Sequence, residues 1–179
     1  MSSVGTVYAQ ALYSLAKDEG LDTVILEQLC ALDDGFAAEP DYIRLLSSAN
    51  LTKPERTAIL EEGFRGKVDG NLLNFMKLLT EKGYMRHFSA CRKAYQSLYN
   101  TDHGILEVKA VTAVALTEDQ HKRLTDKLSA STGKTVQLKN TVDPSALGGV
   151  RLDYDGKRID GTVQHRLDSI GKLLANTVL

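Results

Sequence analysis

The stretch LGGVRLDYDGKRIDGTVQHRLDSIGKLL, residues 147–174, decides the fold of the second half of this chain. Asp155-Gly156 lies between two short runs in which apolar and polar side chains alternate. Such an Asp-Gly pair predicts a β-hairpin with a type I′ turn, in which both central residues take a positive φ. The pairs expected across this hairpin are Tyr154 with Lys157, Asp153 with Arg158, Leu152 with Ile159 and Arg151 with Asp160.

The two faces of the predicted hairpin differ in chemistry. The apolar face takes Val150, Leu152, Tyr154 and Ile159. The other face takes two pairs of opposite charge, Arg151 with Asp160 and Asp153 with Arg158. Cross-strand pairs of this kind contribute roughly 0.2–1 kcal/mol each, and a slipped register would turn every side chain to the wrong face. We therefore interpret Asp153, Asp155 and Asp160 as structural residues rather than catalytic acids.

The residues on either side of the hairpin have structural interpretations too. Gly148-Gly149 permits a bend, a bulge or a close backbone approach where the first strand begins. Thr162 is a suitable N-cap for a terminal helix, and Asp160 lies just before it, where a negative charge suits the helix dipole. The apolar face of this helix consists of Val163, Leu167, Ile170 and Leu174. His165 falls on its polar side and is expected to be solvated.

The first hundred residues have the periodicity of helices. Apolar residues recur at spacings of three and four in successive segments, the first of them at Val4, Val7, Tyr8, Ala11, Leu12 and Leu15. Thr52 and Glu55 form a capping box, and the segment NLLNFMKLLTEKG is apolar around most of its circumference, which is typical of a buried helix. Six short helices joined by short loops predict a helical bundle over residues 1–103.

After Gly104 the period changes from helical to strand-like. Leu106, Val108, Ala110, Val114 and Leu116 alternate along one face. A second capping box, Thr117 with Gln120, opens a polar amphipathic helix that ends near Gly133, and TVQLKNTVD alternates again. The sequence therefore predicts a mainly α, α+β protein: a six-helix N-terminal domain, 1–103, and a small α+β domain, 104–179, with a β-hairpin and a terminal helix.

Composition excludes several classes of protein. The chain has 179 residues, 42% of them hydrophobic and 25% charged, with a net charge of −1. These values are typical of a globular protein, and the absence of a basic excess argues against a nucleic-acid partner. No apolar run approaches the ~18 residues of a membrane-spanning helix, so no bilayer insertion is expected. The N-terminus has no signal-peptide pattern, which favours a cytoplasmic protein, and the two cysteines are expected to pack in the core.

No motif for catalysis, a cofactor or a metal can be assembled from the sequence. The segment STGKT, residues 131–135, resembles the end of a phosphate-binding loop, but it follows a helix and enters a strand, the reverse of the required order. DYDGKRID lacks the ligands of a calcium loop. We predict no catalytic residue, no cofactor and no metal site.

Three segments together resemble one known family. They are LGGVRLDYDGKRIDGTVQHRL, VYAQALYSLA near the start, and NFMKLLTEKGYMRHF. In the first, the matching residues are Leu147-Gly148-Gly149, Gly156, Ile159-Asp160-Gly161-Thr162-Val163 and Leu167. They are similar to the delta subunit of bacterial and chloroplast F-type ATP synthases, the counterpart of the mitochondrial oligomycin-sensitivity-conferring protein. The chain departs from the family pattern at Val7 and Tyr84, positions that are often basic.

The resemblance implies a mechanical role rather than catalysis. A family member is a peripheral-stalk (stator) subunit that joins the catalytic head to the stalk and so supports proton-driven ATP synthesis. Its helices one and five would form a groove for the N-terminal helix of an alpha subunit. The candidate lining is Tyr8, Ala11, Leu12, Leu15, Phe75, Leu78 and Leu79. The small domain would bind the C-terminal ends of b-type stalk subunits, peripherally on the cytoplasmic face of a bacterial inner membrane or an equivalent energy-transducing membrane.

Other interpretations stay open on the residues alone. The apolar residues assigned to the groove could instead be bundle core. A helical bundle with a small α+β domain could also be an RNA-binding or regulatory module, or an enzyme that uses Asp153, Asp155 and His165 around a metal. The near-neutral net charge of the chain argues against an RNA-binding module.

Overall fold

The computed structural model describes residues 4–48 and 51–168, and it divides into two compact units between Tyr99 and Asn100. The mainly helical α+β class predicted from the sequence is confirmed. The predicted domain boundary, between residues 103 and 104, stays a prediction.

The described part of the first unit contains five α-helices and most of a sixth, which continues to Asp102 beyond the division. Their bounds are α1 Val4–Asp18, α2 Asp22–Ala38, α3 Pro40–Leu46, α4 Lys53–Phe64, α5 Gly70–Glu81 and α6 Phe88–Asp102, the last preceded by a 3₁₀ turn over Met85–His87. The core of this unit is apolar and includes Ile25, Leu29, Leu60, Met76 and Tyr95, each inaccessible to solvent. Glu55 donates its backbone N–H to the Thr52 hydroxyl and its carboxylate accepts from the Thr52 N–H, so the predicted capping box opens α4.

In its described part, the second unit has a four-stranded sheet with a helix packed on one face, and residues 163–168 after the last strand are also helical. Its elements are β1 Ile105–Thr112, α7 Glu118–Thr132, β2 Thr135–Val142, β3 Val150–Tyr154 and β4 Lys157–Asp160, with a 3₁₀ turn over Pro144–Ala146. The strand order is β2-β1-β3-β4; β1 and β2 are parallel, and the other pairs are antiparallel. Leu124 and Leu128 of α7 pack on a small core around Val108, Ala110 and Leu152.

The hairpin has the register expected from its sequence. Arg151 lies opposite Asp160, Leu152 opposite Ile159, Asp153 opposite Arg158, and Tyr154 opposite Lys157. Asp155 and Gly156 have φ values of 47° and 71°, as a type I′ turn requires. Ile159 is nevertheless half exposed, because it lies on the edge strand β4.

The first strand is shorter than its alternation predicts. The expectation that alternation continues through Val114 and Leu116 is wrong, since β1 ends at Thr112 and Val114 is exposed. The Thr112 hydroxyl donates to the Val114 carbonyl oxygen at 2.7 Å. The Asn140 amide donates to Thr112 Oγ1 and to the Ala110 carbonyl, and its oxygen accepts from the Leu116 N–H. These side-chain hydrogen bonds replace the next rung of the ladder.

Candidate protein-binding site

Helix α1 has two apolar faces, and only one of them is buried in the bundle core. Gly5, Ala9, Leu12, Tyr13 and Ala16 are buried. Gly5 allows α6 to approach closely, because a Cβ at this position would lie 3.1 Å from the Ala90 Cβ. The buried face is continuous with the bundle core, so α1 is fixed by one side and presents the other to solvent.

The second face of α1 forms an exposed apolar stripe together with α5. We define the apolar stripe as Val4, Val7, Tyr8, Ala11 and Leu15 of α1 and Leu78 of α5. Val7 is 56% exposed, Leu15 43% and Leu78 40%, while Tyr8 is half-buried. Residues three and four apart share a helix face, so the α1 residues form one continuous row.

Two contacts hold α1 and α5 together at opposite ends. The Asn71 amide at the start of α5 donates to the Glu19 carboxylate just after α1, at 2.6 Å. The Tyr8 ring meets Tyr84, just after α5, edge to face with ring centroids 5.9 Å apart. The helices are therefore antiparallel, and the stripe runs along their junction.

The predicted groove residues divide into an exposed and a buried set. Leu12, Phe75 and Leu79 belong to the bundle core, with Leu79 wholly inaccessible. Ala11, Leu15 and Leu78 are exposed and available to a partner, while Tyr8 is half-buried and packs against the core. Val4 and Val7 were missing from the predicted set although they share the face of Ala11 and Leu15. The spacing of residues 4, 7, 11 and 15 was the signal that could have identified them.

The stripe carries no charge of its own. Residues 4–16 contain no Asp, Glu, Lys or Arg, and the first charged residue of α1 is Lys17. On α5, Lys77 pairs with Glu61 of α4, and this hydrogen bond holds the pKa of the Glu61 carboxyl below its usual range. The stripe is suited to recognition by apolar contact.

The glycines of the second unit permit a close backbone approach after the hairpin. Gly149 has a φ of +78°, and a Cβ there would lie 2.4 Å from the Gly161 carbonyl oxygen. The Gly161 N–H donates to the Val150 carbonyl, and the Val163 N–H donates to the Gly148 carbonyl, both at 3.0 Å. Gly148, Gly149 and Gly161 thus let the chain after β4 lie directly against the start of β3.

Asp160 and Thr162 complete this junction. Asp160 accepts hydrogen bonds from the Thr162 hydroxyl at 2.7 Å and the Thr162 N–H at 3.0 Å, which lower the pKa of the Asp160 carboxyl. Thr162 Oγ1 accepts from the His165 N–H, as an N-cap does, and residues 163–168 are helical. Ile170 and Leu174, assigned to the same helix from sequence, lie outside the described residues.

The candidate catalytic acids are engaged in structural contacts instead. Asp153 accepts from Arg158 Nε at 2.6 Å and lies 3.4 Å from Arg151 Nε, and the Arg158 hydrogen bond lowers the pKa of Asp153. The side chain of Arg151 therefore pairs with Asp153 of its own strand, although Asp160 lies opposite it. Asp155 forms the turn, and His165 caps a helix through its backbone. Among the residues that the structure describes, no three His, Cys, Asp or Glu side chains are grouped as metal ligands.

The two thiols differ in burial. Cys91 lies in the bundle core, and burial raises the pKa of its thiol to about 11, so it stays protonated at neutral pH. Cys30 on α2 is half-buried. In the described part of the chain, no helix is long and apolar enough to cross a membrane.

Comparison with known proteins gives one consistent family. The family model described as ATP synthase delta (OSCP) subunit matches residues 4–174. An ATP synthase subunit delta of Clostridioides difficile is 31% identical over 172 residues, covering 96% of this chain and 95% of that protein. Another, from Lacticaseibacillus casei, is 34% identical over 164 residues, covering 91% and 90%.

A solved structure has the same fold. A chain of the cryo-EM structure of the Toxoplasma gondii mitochondrial ATP synthase hexamer superposes with a TM-score of 0.77, covering 97% of this chain and 98% of that chain at 16% identity. At this identity the likeness concerns the fold alone.

Proposed function

The chain belongs to the ATP synthase delta (OSCP) subunit family, non-catalytic subunits of the peripheral stalk of F-type ATP synthases, and from this premise we propose that it joins the catalytic head to the b-type stalk subunits. The helical unit binds the N-terminal helix of an alpha subunit. The small α+β unit binds the C-terminal ends of the b-type subunits. The protein is peripheral on the cytoplasmic face of the membrane and supports proton-driven ATP synthesis without a cofactor of its own.

The apolar stripe of α1 and α5 is the observation that carries this proposal. A globular protein normally buries one face of a surface helix, and a second continuous apolar face marks an interaction site. The row from Val4 to Leu15 spans twelve residues, and a helix of that span rises about 16 Å at 1.5 Å per residue. This length accommodates about three turns of an amphipathic partner helix, whose apolar residues at helical spacing would cover the stripe.

The antiparallel packing of α1 and α5 favours a helix as the occupant. Two helices side by side leave a shallow groove between them, and the proposed partner helix would cover the exposed Leu15 and Leu78. Leu12, Phe75 and Leu79 are buried in the bundle core and support these two helices from below. A third helix laid in the groove would extend the bundle by the same apolar packing that holds its own helices together.

Site-specific photocrosslinking in native membranes tests the head-side contact. A photoreactive residue at position 15 should form an adduct with the first residues of the alpha subunit, identified by peptide mass spectrometry. Leu45 on α3 is a matched control, because it is also 43% exposed but lies outside the stripe. Equal capture of alpha at positions 15 and 45, or capture of another protein at position 15, would contradict the proposed contact.

A further inference from the structure

The sheet of the second unit has one face covered by α7 and another that is rich in charge. Leu106, Val108 and Ala110 point to the α7 side, so the alternate residues of β1 point to the other. The parallel register sets Lys109 beside Lys139, and the antiparallel registers set Lys109 beside Asp153 and Asp153 beside Arg158. One row across all four strands therefore reads Lys139, Lys109, Asp153, Arg158.

The single carboxylate of this row is already occupied. Asp153 accepts the Arg158 hydrogen bond at 2.6 Å, and Arg151 Nε lies 3.4 Å away on its other oxygen. Lys109 and Lys139 are both exposed, and neither forms an ion pair within residues 4–48 and 51–168. Lys109 and Lys139 thus lie side by side in register, and the one carboxylate of the row, Asp153 beside Lys109, is already in contact with both arginines.

This arrangement is unfavourable for the isolated fold. Like charges directly opposite each other on neighbouring strands destabilise a sheet, whereas opposite charges stabilise it. On the same face, Asp153 and Arg158 of the hairpin form a pair of opposite charge. Lys109 and Lys139, in contrast, are neighbours of like charge. A bound anionic group would remove the repulsion.

We propose that this face binds an acidic helical segment of a partner protein, with carboxylates seated on Lys109 and Lys139. Neighbouring strands are about 4.8 Å apart, close to the 5–6 Å between side chains three or four positions apart on a helix. A helix with acidic residues at that spacing therefore matches the lysine pair. The proposal rests on the proposed function, in that the b-type stalk subunits are the expected source of the segment.

Lys139→Glu separates a binding role from a structural one. The substitution places Glu beside Lys109, so the variant should melt roughly 1–3 °C higher than the wild type, because an opposite pair replaces a like pair. The same change should weaken binding of the purified soluble region of the b-type subunits about tenfold. A substitution that stabilises the fold while it weakens binding identifies a surface kept for a partner.

The matched control is Lys127→Glu, which makes the same change in charge on exposed α7, across the sheet from the lysine pair. It should bind the b-type subunits as the wild type does. Raising ionic strength from about 0.05 to about 0.5 M should weaken wild-type binding and affect Lys139→Glu much less. Lys109→Gln with Lys139→Gln, which only removes charge, should give an intermediate loss and serves if the charge reversal impairs folding.

The outcomes separate this inference from the proposed function. If the wild type binds the b-type subunits and Lys139→Glu binds them equally tightly, the inference fails and the proposed function stands. If the wild type does not bind them at all, both fail. Binding of the wild type to anionic phospholipid vesicles or to RNA through the lysine pair, with stalk binding insensitive to Lys139→Glu, also overturns the inference.

Discussion

Replacing Leu78 by Asp should abolish docking of the alpha N-terminal helix without unfolding the chain. Leu78 is 40% exposed, so a partner can cover about two fifths of a side chain whose full burial is worth about 1.5–3 kcal/mol. Loss of this contact alone, as in Leu78→Ala, therefore costs about 1 kcal/mol, or roughly fivefold in Kd. Asp adds the cost of desolvating an unpaired charge against apolar groups, and we expect a total of about 3 kcal/mol, or more than a hundredfold.

The assay is calorimetric titration of the full chain with a peptide copied from the alpha N-terminus, with circular dichroism to check both the fold and the helix that the peptide gains. Leu45→Asp is the matched control, since Leu45 is 43% exposed outside the stripe, and it should bind normally. Leu79→Asp should unfold the first unit, because Leu79 is wholly buried beside Leu78 in sequence. A folded Leu78→Asp variant that binds the peptide as tightly as the wild type would refute the placement of the groove.

Three further predictions concern the second unit. Gly149→Ala should lower the free energy of unfolding of this unit by about 3 kcal/mol, because the new Cβ meets a backbone oxygen. Gly156→Ala, with a similar φ but open space around the Cβ, should lower it by about 1 kcal/mol. Urea denaturation followed by hydrogen exchange measures both changes. A double-mutant cycle between Asp153 and Arg158 should give a small but favourable coupling, because Arg158 is largely exposed, and zero coupling would refute the pair. The lowered pKa of Asp160 contributes stability that is present above about pH 4 and is lost as the pH falls through the folded-state pKa. In thermal melts, the stability difference between wild type and Asp160→Asn should therefore shrink below about pH 4. A difference that stays constant with pH would contradict the assigned hydrogen bonds.

The hairpin and the helix caps were predictable because their signals are local. Asp155-Gly156 specifies a turn with two positive φ values, and this turn fixes the register of every pair across it. A capping box places a hydroxyl and a carboxylate or amide three residues apart, as at Thr52 and Thr117, and needs no partner from elsewhere in the chain.

The features that the sequence did not reveal depend on distant contacts. The end of β1 is set by Asn140, which is 28 residues beyond Thr112. Arg151 pairs with Asp153 of its own strand although Asp160 lies opposite it, and Asp160 Oδ1 accepts both Thr162 hydrogen bonds. The parallel pairing of β1 with β2 likewise follows from the crossover through α7 and not from the period of either strand.

The candidate site was predictable as a pair of helices but not residue by residue. Helix α5 is apolar around most of its circumference, so its sequence cannot tell which side meets the core. The neighbours decide the matter: Leu79 packs into the bundle, while Leu78, one position earlier, stays exposed.

The central claim is that this chain mechanically couples the head to the stalk. ATP-driven proton pumping by membranes depleted of the head and of this subunit tests it most directly. Membranes stripped of the head and of this subunit would be rebuilt with purified head and either wild-type, Leu45→Asp or Leu78→Asp chain. We predict that wild type and Leu45→Asp restore pumping, while Leu78→Asp leaves ATP hydrolysis by the head intact but restores little pumping. Full pumping with Leu78→Asp, or with no added chain, would contradict the account.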